Sequence, residues 1–128
     1  MESDELIRHA LRIALEKKGA NLRVLDVARA LAITDMFVLI TVQNRRQAQA
    51  ICSGIDVEMK HAGVAKARIE GHDAGWWVLL DYETVVIHIF QAEAREFYDF
   101  DALWADMEDL TEEFLTGLPE SVSDPSEG

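Results

Sequence analysis

The strongest constraint on the fold is a pair of apolar segments, residues 76–82 and 85–90, separated by only two residues. Their length, their β-branched and aromatic content and the short connection predict a β-hairpin. Successive side chains leave a strand on opposite faces, so Trp76 and Trp77 cannot both enter one core. At least one large aromatic side chain must therefore be covered by a helix, a second subunit or a binding partner.

The rest of the chain alternates between helical and strand patterns. The nearly unbroken apolar run at 36–42 is typical of a strand buried on both faces. Asn44 is predicted to cap the helix that follows, with Gln47 completing a capping box. The predicted elements are, in order, helix 3–18, strands 22–27 and 36–42, helix 44–62, strands 67–70, 76–82 and 85–90, a short helix 92–98, and a last amphipathic helix marked by Leu103, Met107, Leu110 and Phe114.

This α-β-β-α-β-β-β-α order predicts an α/β fold with a mixed, mostly five-stranded sheet flanked by helices. We expect one domain over residues 1–116, including an acidic C-terminal helix. Residues 117–128 are polar and contain both prolines, which predicts a disordered tail. No apolar run approaches the ~20 residues of a membrane span, and a single cysteine excludes an intrachain disulfide. A cytoplasmic location without membrane attachment is the expectation.

Charge is distributed unevenly along the chain, whose formal net charge is −12. Residues 93–128 contain 12 acidic residues and one basic residue, a net of −11, so residues 1–92 carry a net of −1. A strongly acidic surface repels nucleic-acid phosphates at long range and favours basic partners. The simpler interpretation is that the acidic end aids solubility, and the sequence leaves both open.

The histidines and the cysteine form no recognisable catalytic or metal-binding motif. Their spacing matches no zinc signature, and one cysteine cannot build a zinc knuckle. His88 lies inside a predicted strand and is interpreted as a satisfied, partly buried residue. Cys52 lies beside the apolar stripe of a predicted helix and is interpreted as a packing residue. We therefore predict no catalytic residues, no metal site and no cofactor.

Two carboxylate pairs are the remaining candidates for metal-dependent phosphoryl transfer, because such pairs can hold Mg²⁺. Asp56 and Glu58 lie two residues apart on a predicted helix and so face different ways. Asp99 and Asp101 lie between two predicted helices, where Asp101 fits a helix cap. Neither pair has the strand setting that such an enzyme would need.

Basic side chains give no sign of nucleic-acid binding. Arg45 and Arg46 begin one predicted helix, while Arg8, Arg12, Lys17 and Lys18 lie on another. They are interpreted as scattered charges because no aromatic residues are interleaved with them. Direct binding to DNA is not expected.

Six motifs in register resemble one family, the ribosomal silencing factors, also called Iojap-related proteins. The similarity covers roughly residues 6–104. It is carried by Asp35-Met36-Phe37-Val38-Leu39, Asn44-x-Arg46-Gln47, Glu70-Gly71, Trp77-Val78-Leu79-Leu80-Asp81-Tyr82, Val85-Val86-Ile87-His88-Ile89-Phe90 and Arg95-Glu96-Phe97-Tyr98…Leu103-Trp104.

The resemblance implies a translation repressor rather than an enzyme. Family members bind the large ribosomal subunit through its fourteenth ribosomal protein and sterically block subunit joining. Their fold resembles nucleotidyl transferases without the catalytic residues, and homodimers occur. The alternatives are a residual nucleotidyltransferase-like enzyme and a generic dimeric adaptor for a basic protein.

The turn between the two hairpin strands departs from the family pattern. This chain carries Glu83-Thr84 where the family usually has Gly-Asp, and it therefore lacks the glycine that adopts a positive φ without strain.

A steric inhibitor needs a docking surface, and a few aromatic anchors usually dominate such a surface. Trp77 and Tyr82 are the predicted anchors, although core packing for Trp77 and cover of the sheet edge for Tyr82 are alternatives. Trp77 is expected to be the exposed tryptophan, with Trp76 packed inward or in a dimer contact. Because strand parity places the two anchors on opposite faces, they cannot serve one flat surface unless the turn twists Tyr82 round. The acids predicted to pair with a basic ribosomal protein are Glu70, Asp81 and Glu83.

Overall fold

A computed structural model describes residues 1–64, 66–116 and 118. Its core is a mixed sheet, and the chain follows the predicted order as far as its third helix. The elements are α1 Ser3–Glu16, β1 Ala20–Asp26, β2 Met36–Val42, α2 Arg45–His61, β3 Arg68–Glu70, β4 Trp77–Asp81, β5 Val85–Gln91, α3 Ala92–Phe97, α4 Phe100–Leu103, β6 Glu108–Asp109 and α5 Thr111–Thr116.

The sheet has six strands in the order β3-β4-β5-β2-β1-β6. The β2–β5 pair is parallel and every other neighbouring pair is antiparallel. The parallel pair requires a crossover, which α2 and the β3–β4 hairpin provide. The predicted mixed α/β sheet is therefore confirmed, and its strand count is corrected from five to six.

Both faces of the sheet carry apolar clusters. On the first face α1, α2 and α5 pack against side chains that include Val38, Ile40, Leu80 and Ile87. On the second face Phe37, Leu39 and Phe90 meet α3 and α4 through Ala94 and Phe100. Strand β2 is buried along nearly its whole length, as the unbroken apolar run predicts.

Helix α1 ends two residues earlier than the sequence predicts. Lys17 is its C-cap, and Lys18, rather than Gly19, adopts the left-handed conformation with φ +67°. Gly19 is needed for another reason: a Cβ there would stand 2.9 Å from Cγ2 of Ile40. The glycine lets the chain approach the sheet closely as it turns into β1.

The predicted single helix through Leu103, Met107, Leu110 and Phe114 is wrong. The chain instead forms α4, then β6 against the free edge of β1, then α5. Met107 packs on the second face, whereas Leu110 and Phe114 pack on the first. One straight helix cannot reach both faces of a sheet, so the chain between Met107 and Leu110 bends around the edge of the sheet at β1. The N–H of Leu110 fixes that bend by donating to the carbonyl of Val24 at 2.8 Å.

The predicted disordered tail, residues 117–128, lies outside the described residues except for Leu118, which packs at the margin of the first-face cluster. None of the helices in the described ranges combines the length and the apolar character that a bilayer crossing requires.

Candidate partner-binding surface

The second face of the β3–β4 edge brings together three of the five predicted site residues. In the β3–β4 register Glu70 lies opposite Leu79, and Arg68 lies opposite Asp81. Directly opposed residues in antiparallel strands project from the same face, and residues two apart on one strand also share a face. Trp77, Asp81 and Glu70 therefore share the second face, as the parity argument predicts for Trp77 and Asp81.

The side chain of Trp77 is half-buried within an aromatic cluster on this face. Its ring centroid lies 5.3 Å from that of Phe90 and 5.6 Å from that of Phe100. Trp76 is the more exposed of the two tryptophans, with 36% of its surface accessible. The prediction that Trp77 is the more exposed residue, with Trp76 packed inward, is therefore wrong, and a dimer contact of Trp76 stays a prediction. The ring of Trp77 is covered by Phe100 of α4 and Phe90 of β5, and the sequence pattern does not reveal these contacts.

A hydrogen bond to a buried histidine fixes the indole of Trp77. Nε1 of Trp77 donates to Nδ1 of His88 over 3.1 Å. An indole N–H can only donate, so the neutral imidazole carries its proton on Nε2. That second N–H is buried and has no hydrogen-bond partner in the described residues. The prediction of a satisfied, partly buried histidine is thus corrected: His88 is 4% exposed and only half satisfied.

Burial also decides the charge of His88. Removal from water disfavours the imidazolium form and lowers the pKa of His88 to about 3. The ring packs edge-on against Phe37, with centroids 4.5 Å apart. At neutral pH it is therefore an uncharged support beneath Trp77 and offers no proton for catalysis.

Two exposed aromatic side chains extend this surface, and sequence reasoning missed them as site residues. The ring of Tyr98 lies 5.2 Å from that of Trp77, and the ring of Phe97 lies 5.0 Å from that of Tyr98. Phe97 is 76% exposed and Tyr98 is 48% exposed. The sequence contained a signal for this exposure. Adjacent side chains project about 100° apart around a helix, so two large neighbours cannot both be buried under a short one. We call Glu70, Trp77, Asp81, Phe97 and Tyr98 the acidic–aromatic surface.

Two of the three predicted acids, Glu70 and Asp81, lie near Arg68 of β3. Nη2 of Arg68 lies 3.7 Å from Oδ2 of Asp81, and its Nε lies 3.9 Å from Oε2 of Glu70. Oδ1 of Asp81 also accepts a hydrogen bond from the N–H of Glu83 at 2.8 Å. Glu83 holds a φ of +77°, the conformation for which glycine would be favoured. Arg68, Asp81 and Glu83 line a groove of about 400 Å³.

The second predicted anchor, Tyr82, lies on the opposite side of the sheet. Its ring packs against the first-face cluster, and its hydroxyl is buried without a partner in the described residues. Burial, reinforced by the nearby carboxylate of Asp56, raises the pKa of the Tyr82 phenol above its usual range. Tyr82 therefore does not belong to the acidic–aromatic surface, in agreement with the parity argument.

Three of the four carboxylates that suggested Mg²⁺ pair with basic side chains: Asp56, Glu58 and Asp101. Asp56 pairs with Lys60 at 3.1 Å, and Glu58 faces α1, where it contacts Arg12 and His9. In residues 1–64 and 66–116 no three His, Cys, Asp or Glu side chains converge on a point where a metal could bind.

Asp101 is not the helix cap that the sequence predicts. It lies in the first turn of α4, and its oxygens accept from Nε and Nη2 of Arg95 at 2.9 and 2.8 Å. The Arg95 guanidinium holds the pKa of this carboxyl below its ordinary value. Arg95 is buried and also donates to the hydroxyl of Thr41 and the carbonyl of Asn21. It therefore anchors α3, with Phe97 and Tyr98, to the sheet.

The lone cysteine behaves as predicted from its position. Cys52 is buried, and burial raises the pKa of its thiol to about 11. The thiol stays protonated at neutral pH, where the thiolate would be the nucleophile.

Comparison with known proteins identifies relatives along most of the chain. A family model described as "Ribosomal silencing factor during starvation" matches residues 1–127. The ribosomal silencing factor of Chromobacterium violaceum is 33% identical over 104 residues, covering 81% of this chain and 85% of that protein. The mouse protein "Mitochondrial assembly of ribosomal large subunit protein 1" is 27% identical over 122 residues, covering 84% of this chain and 54% of that protein.

A solved structure shares the fold as well. A crystal structure of a Chromobacterium violaceum protein superposes with a TM-score of 0.78 and 31% identity, covering 84% of this chain and 90% of that one. The family match extends over nearly the whole sequence and agrees with the motifs on the hairpin and on α3. The chain therefore belongs to the ribosomal silencing factor family.

Proposed function

We propose that this protein represses translation by binding the large ribosomal subunit with its acidic–aromatic surface and sterically blocking subunit joining. The observation that carries the proposal is the juxtaposition of exposed Phe97 and Tyr98 with Trp77, on the same face of the sheet as the carboxylates of Glu70 and Asp81. The family name supports a role at the ribosome. The name of the mouse relative connects that protein with the large subunit.

The chemistry of this surface fits a basic ribosomal protein, for which the family resemblance implies the fourteenth protein of the large subunit. Aromatic rings supply apolar contact area and can receive cationic side chains on their faces. The carboxylates then pair with the same lysines or arginines. Strand β4 spans about 14 Å and therefore supplies part of one side of a standard interface, which covers roughly 800 Å² per partner.

The proposed mechanism needs affinity and no chemistry. The factor would act in the cytoplasm, as a monomer or a homodimer, without a cofactor or a membrane. We expect the purified protein to show neither nucleotide turnover nor a requirement for Mg²⁺. The acidic segment beyond α4 and the tail over 117–128 are assigned no part in ribosome binding.

Co-sedimentation with purified large subunits tests the proposal. The F97A/Y98A variant should lose about 30-fold or more in affinity, which corresponds to ~2 kcal/mol for an interface anchor. Val57→Ala is the matched control, because Val57 is 52% exposed but lies on α2 over the first face. Wild-type protein should also keep added small subunits from joining. Unchanged binding of F97A/Y98A, or failure of the wild type to bind, would contradict the proposal.

A further inference from the structure

Four exposed basic residues lie at the adjoining ends of two helices. Lys17 and Lys18 follow the last turn of α1, while Arg45 and Arg46 form the first turn of α2. From the sequence these residues are interpreted as scattered charges, and the fold places the two helix ends that carry them side by side. We call the four residues the basic rim.

Gln47 ties the two helix ends together. Its Nε2 donates to the carbonyl of Lys17 at 3.0 Å and to that of Lys18 at 2.9 Å. Its Oε1 accepts from the N–H of Gln43 at 2.8 Å, so the side chain is held at both ends. The stem of Lys17 then runs along α2, where a Cβ on Gly54 would stand 2.9 Å from Cε of the lysine. These contacts hold the backbone of the two helix ends together, while the side chain of Lys17 extends along α2 towards Gly54.

The charges of the basic rim are not neutralised within the described residues. Four other arginines of the chain each pair with a carboxylate within 4 Å: Arg12, Arg23, Arg68 and Arg95. None of the four rim residues has such a partner among residues 1–64 and 66–116. The first turn of α2 also lacks an acidic residue. Salt screens charges beyond about 8 Å at physiological ionic strength, so acidic residues further away than this weaken the charge of the rim little.

The basic rim borders the acidic–aromatic surface. A Cβ on Gly75 would stand 3.0 Å from Cα of Arg45, so this glycine lets the loop before β4 pack directly on the first turn of α2. Gln91, at the end of β5, secures the same loop by donating from Nε2 to the carbonyl of Gly75 and from its backbone to that of Trp76. Trp76 and Trp77 follow immediately in the chain. One docking event can therefore engage both regions.

We propose that the basic rim binds the phosphate backbone of ribosomal RNA beside the protein that the acidic–aromatic surface contacts. This inference rests on the proposed function, because it assigns the rim a second partner within the same docked complex. A ribosomal protein is surrounded by RNA, and phosphates are the groups that clustered arginines and lysines recognise. The two regions carry opposite charge, so together they match a basic protein and the acidic backbone next to it and fix the orientation of the factor.

Salt dependence of large-subunit binding tests this inference. Each phosphate contact contributes a slope of roughly −0.7 to −0.9 to log affinity against log salt. The variant K17Q/K18Q/R45Q/R46Q should therefore give a slope shallower by about 1.5 to 3.5, as two to four contacts are lost. Glutamine retains the part of the Arg45 stem that contacts Gly75. The control is R29Q/K66Q, which removes two exposed cations from the opposite end of the sheet and should leave the slope unchanged.

A second arm uses protein-free RNA of the large subunit at low salt. The wild type should bind it weakly and the rim variant at least 10-fold more weakly still. An unchanged slope for the rim variant would overturn the inference while leaving the proposed function intact. Reduced subunit binding with unchanged binding to free RNA would also overturn it, since the rim would then contact an acidic protein. Failure of the wild type to bind subunits at any salt concentration would overturn both proposals.

Discussion

The two faces of the sheet differ in how they are covered. On the first face the long helices α1 and α2 bury aliphatic side chains almost completely. On the second face two short helices cover an aromatic cluster that remains half-open at Trp77 and leaves the N–H groups of His88 and Trp104 without described partners. An aliphatic, fully covered face stabilises the fold, whereas an aromatic face with open margins has surface left for a partner. The comparison separates residues that maintain the fold from residues that bind.

The largest expected effect tests the first face. Ile55 on α2 is fully buried, so Ile55→Ala should lower the free energy of unfolding by about 2–5 kcal/mol through lost burial and a residual cavity. Urea unfolding measures this loss. Val57→Ala, on the exposed side of the same helix, should change it by less than ~0.5 kcal/mol. Equal effects for the two variants would contradict the packing described for this face.

Lowering the pH should destabilise the fold through His88 on the second face. The folded-state pKa of His88 is about 3, below its unfolded value near 6.5, so the unfolded chain binds the extra proton as the pH falls. His88 therefore contributes stability that is complete above about pH 6.5 and declines towards pH 3. Between pH 7 and pH 5 the loss from this group should be about 2 kcal/mol.

Denaturant unfolding of the wild type and His88→Gln at pH 7 and pH 5 isolates that contribution. The variant should show a smaller decline with acid than the wild type. His61→Gln serves as the control because His61 is exposed at the end of α2, and it should leave the decline unchanged. The same pH dependence in His88→Gln as in the wild type would rule out a buried, neutral histidine.

A smaller effect should distinguish the two tryptophans. Trp77→Phe removes the indole N–H that donates a hydrogen bond to Nδ1 of His88. The buried acceptor is then unsatisfied, which should lower the free energy of unfolding by about 1–3 kcal/mol. Trp76→Phe, at the more exposed position, should cost less than ~0.5 kcal/mol. Thermal unfolding of both variants gives the comparison. If the Trp76 variant were the less stable one, the burial described for the pair would be incorrect.

The smallest expected effect is a gain in stability at the turn between β4 and β5. Glu83 adopts a φ of +77°, so Glu83→Gly should relieve backbone strain and stabilise the fold by about 0.5–1 kcal/mol. Glu83→Ala is the matched control, because it removes the charge and keeps the strain. A gain in melting temperature for the alanine variant alone would indicate that charge, rather than backbone conformation, limits this turn.

Most of the fold could be predicted because it follows from local patterns. The apolar run of β2, the Asn44 cap and the period of α2 each depend on residues close in sequence, and each appears as predicted. The capping box is only half formed, because Gln47 accepts from the N–H of Gln43 rather than from that of Asn44. The strand parity of β4 likewise placed Trp77 and Asp81 on one face. Local pattern failed after Leu103, where helical spacing coincided with a path around the sheet edge. What decided that path was the unpaired edge of β1, more than 80 residues earlier in the chain.

The candidate site was predicted only in part, for the same reason. Glu70, Trp77 and Asp81 share a face because neighbouring strands pair in register. The contribution of Phe97 and Tyr98 depends on Arg95, whose contacts with Asn21 and Thr41 span 74 and 54 residues. The exposure of Trp77 was misjudged because its cover comes from Phe90 and Phe100, and parity alone does not reveal a covering side chain.

The strand β6 that closes the β1 edge has a consequence for the order in which the protein acquires its structure during synthesis. Glu108 and Asp109 pair with Asp26 and Leu25, so the sheet lacks its last strand until residues near 109 have been made. Until then the outer edge of β1 remains a template on which another nascent chain could pair. The cation–π contact of Arg8 with Phe114, 5.0 Å from the guanidinium carbon to the ring centroid, forms later still. The first helix to be synthesised thus completes its packing only with the last, which ties the native state to a chain translated through residue 114.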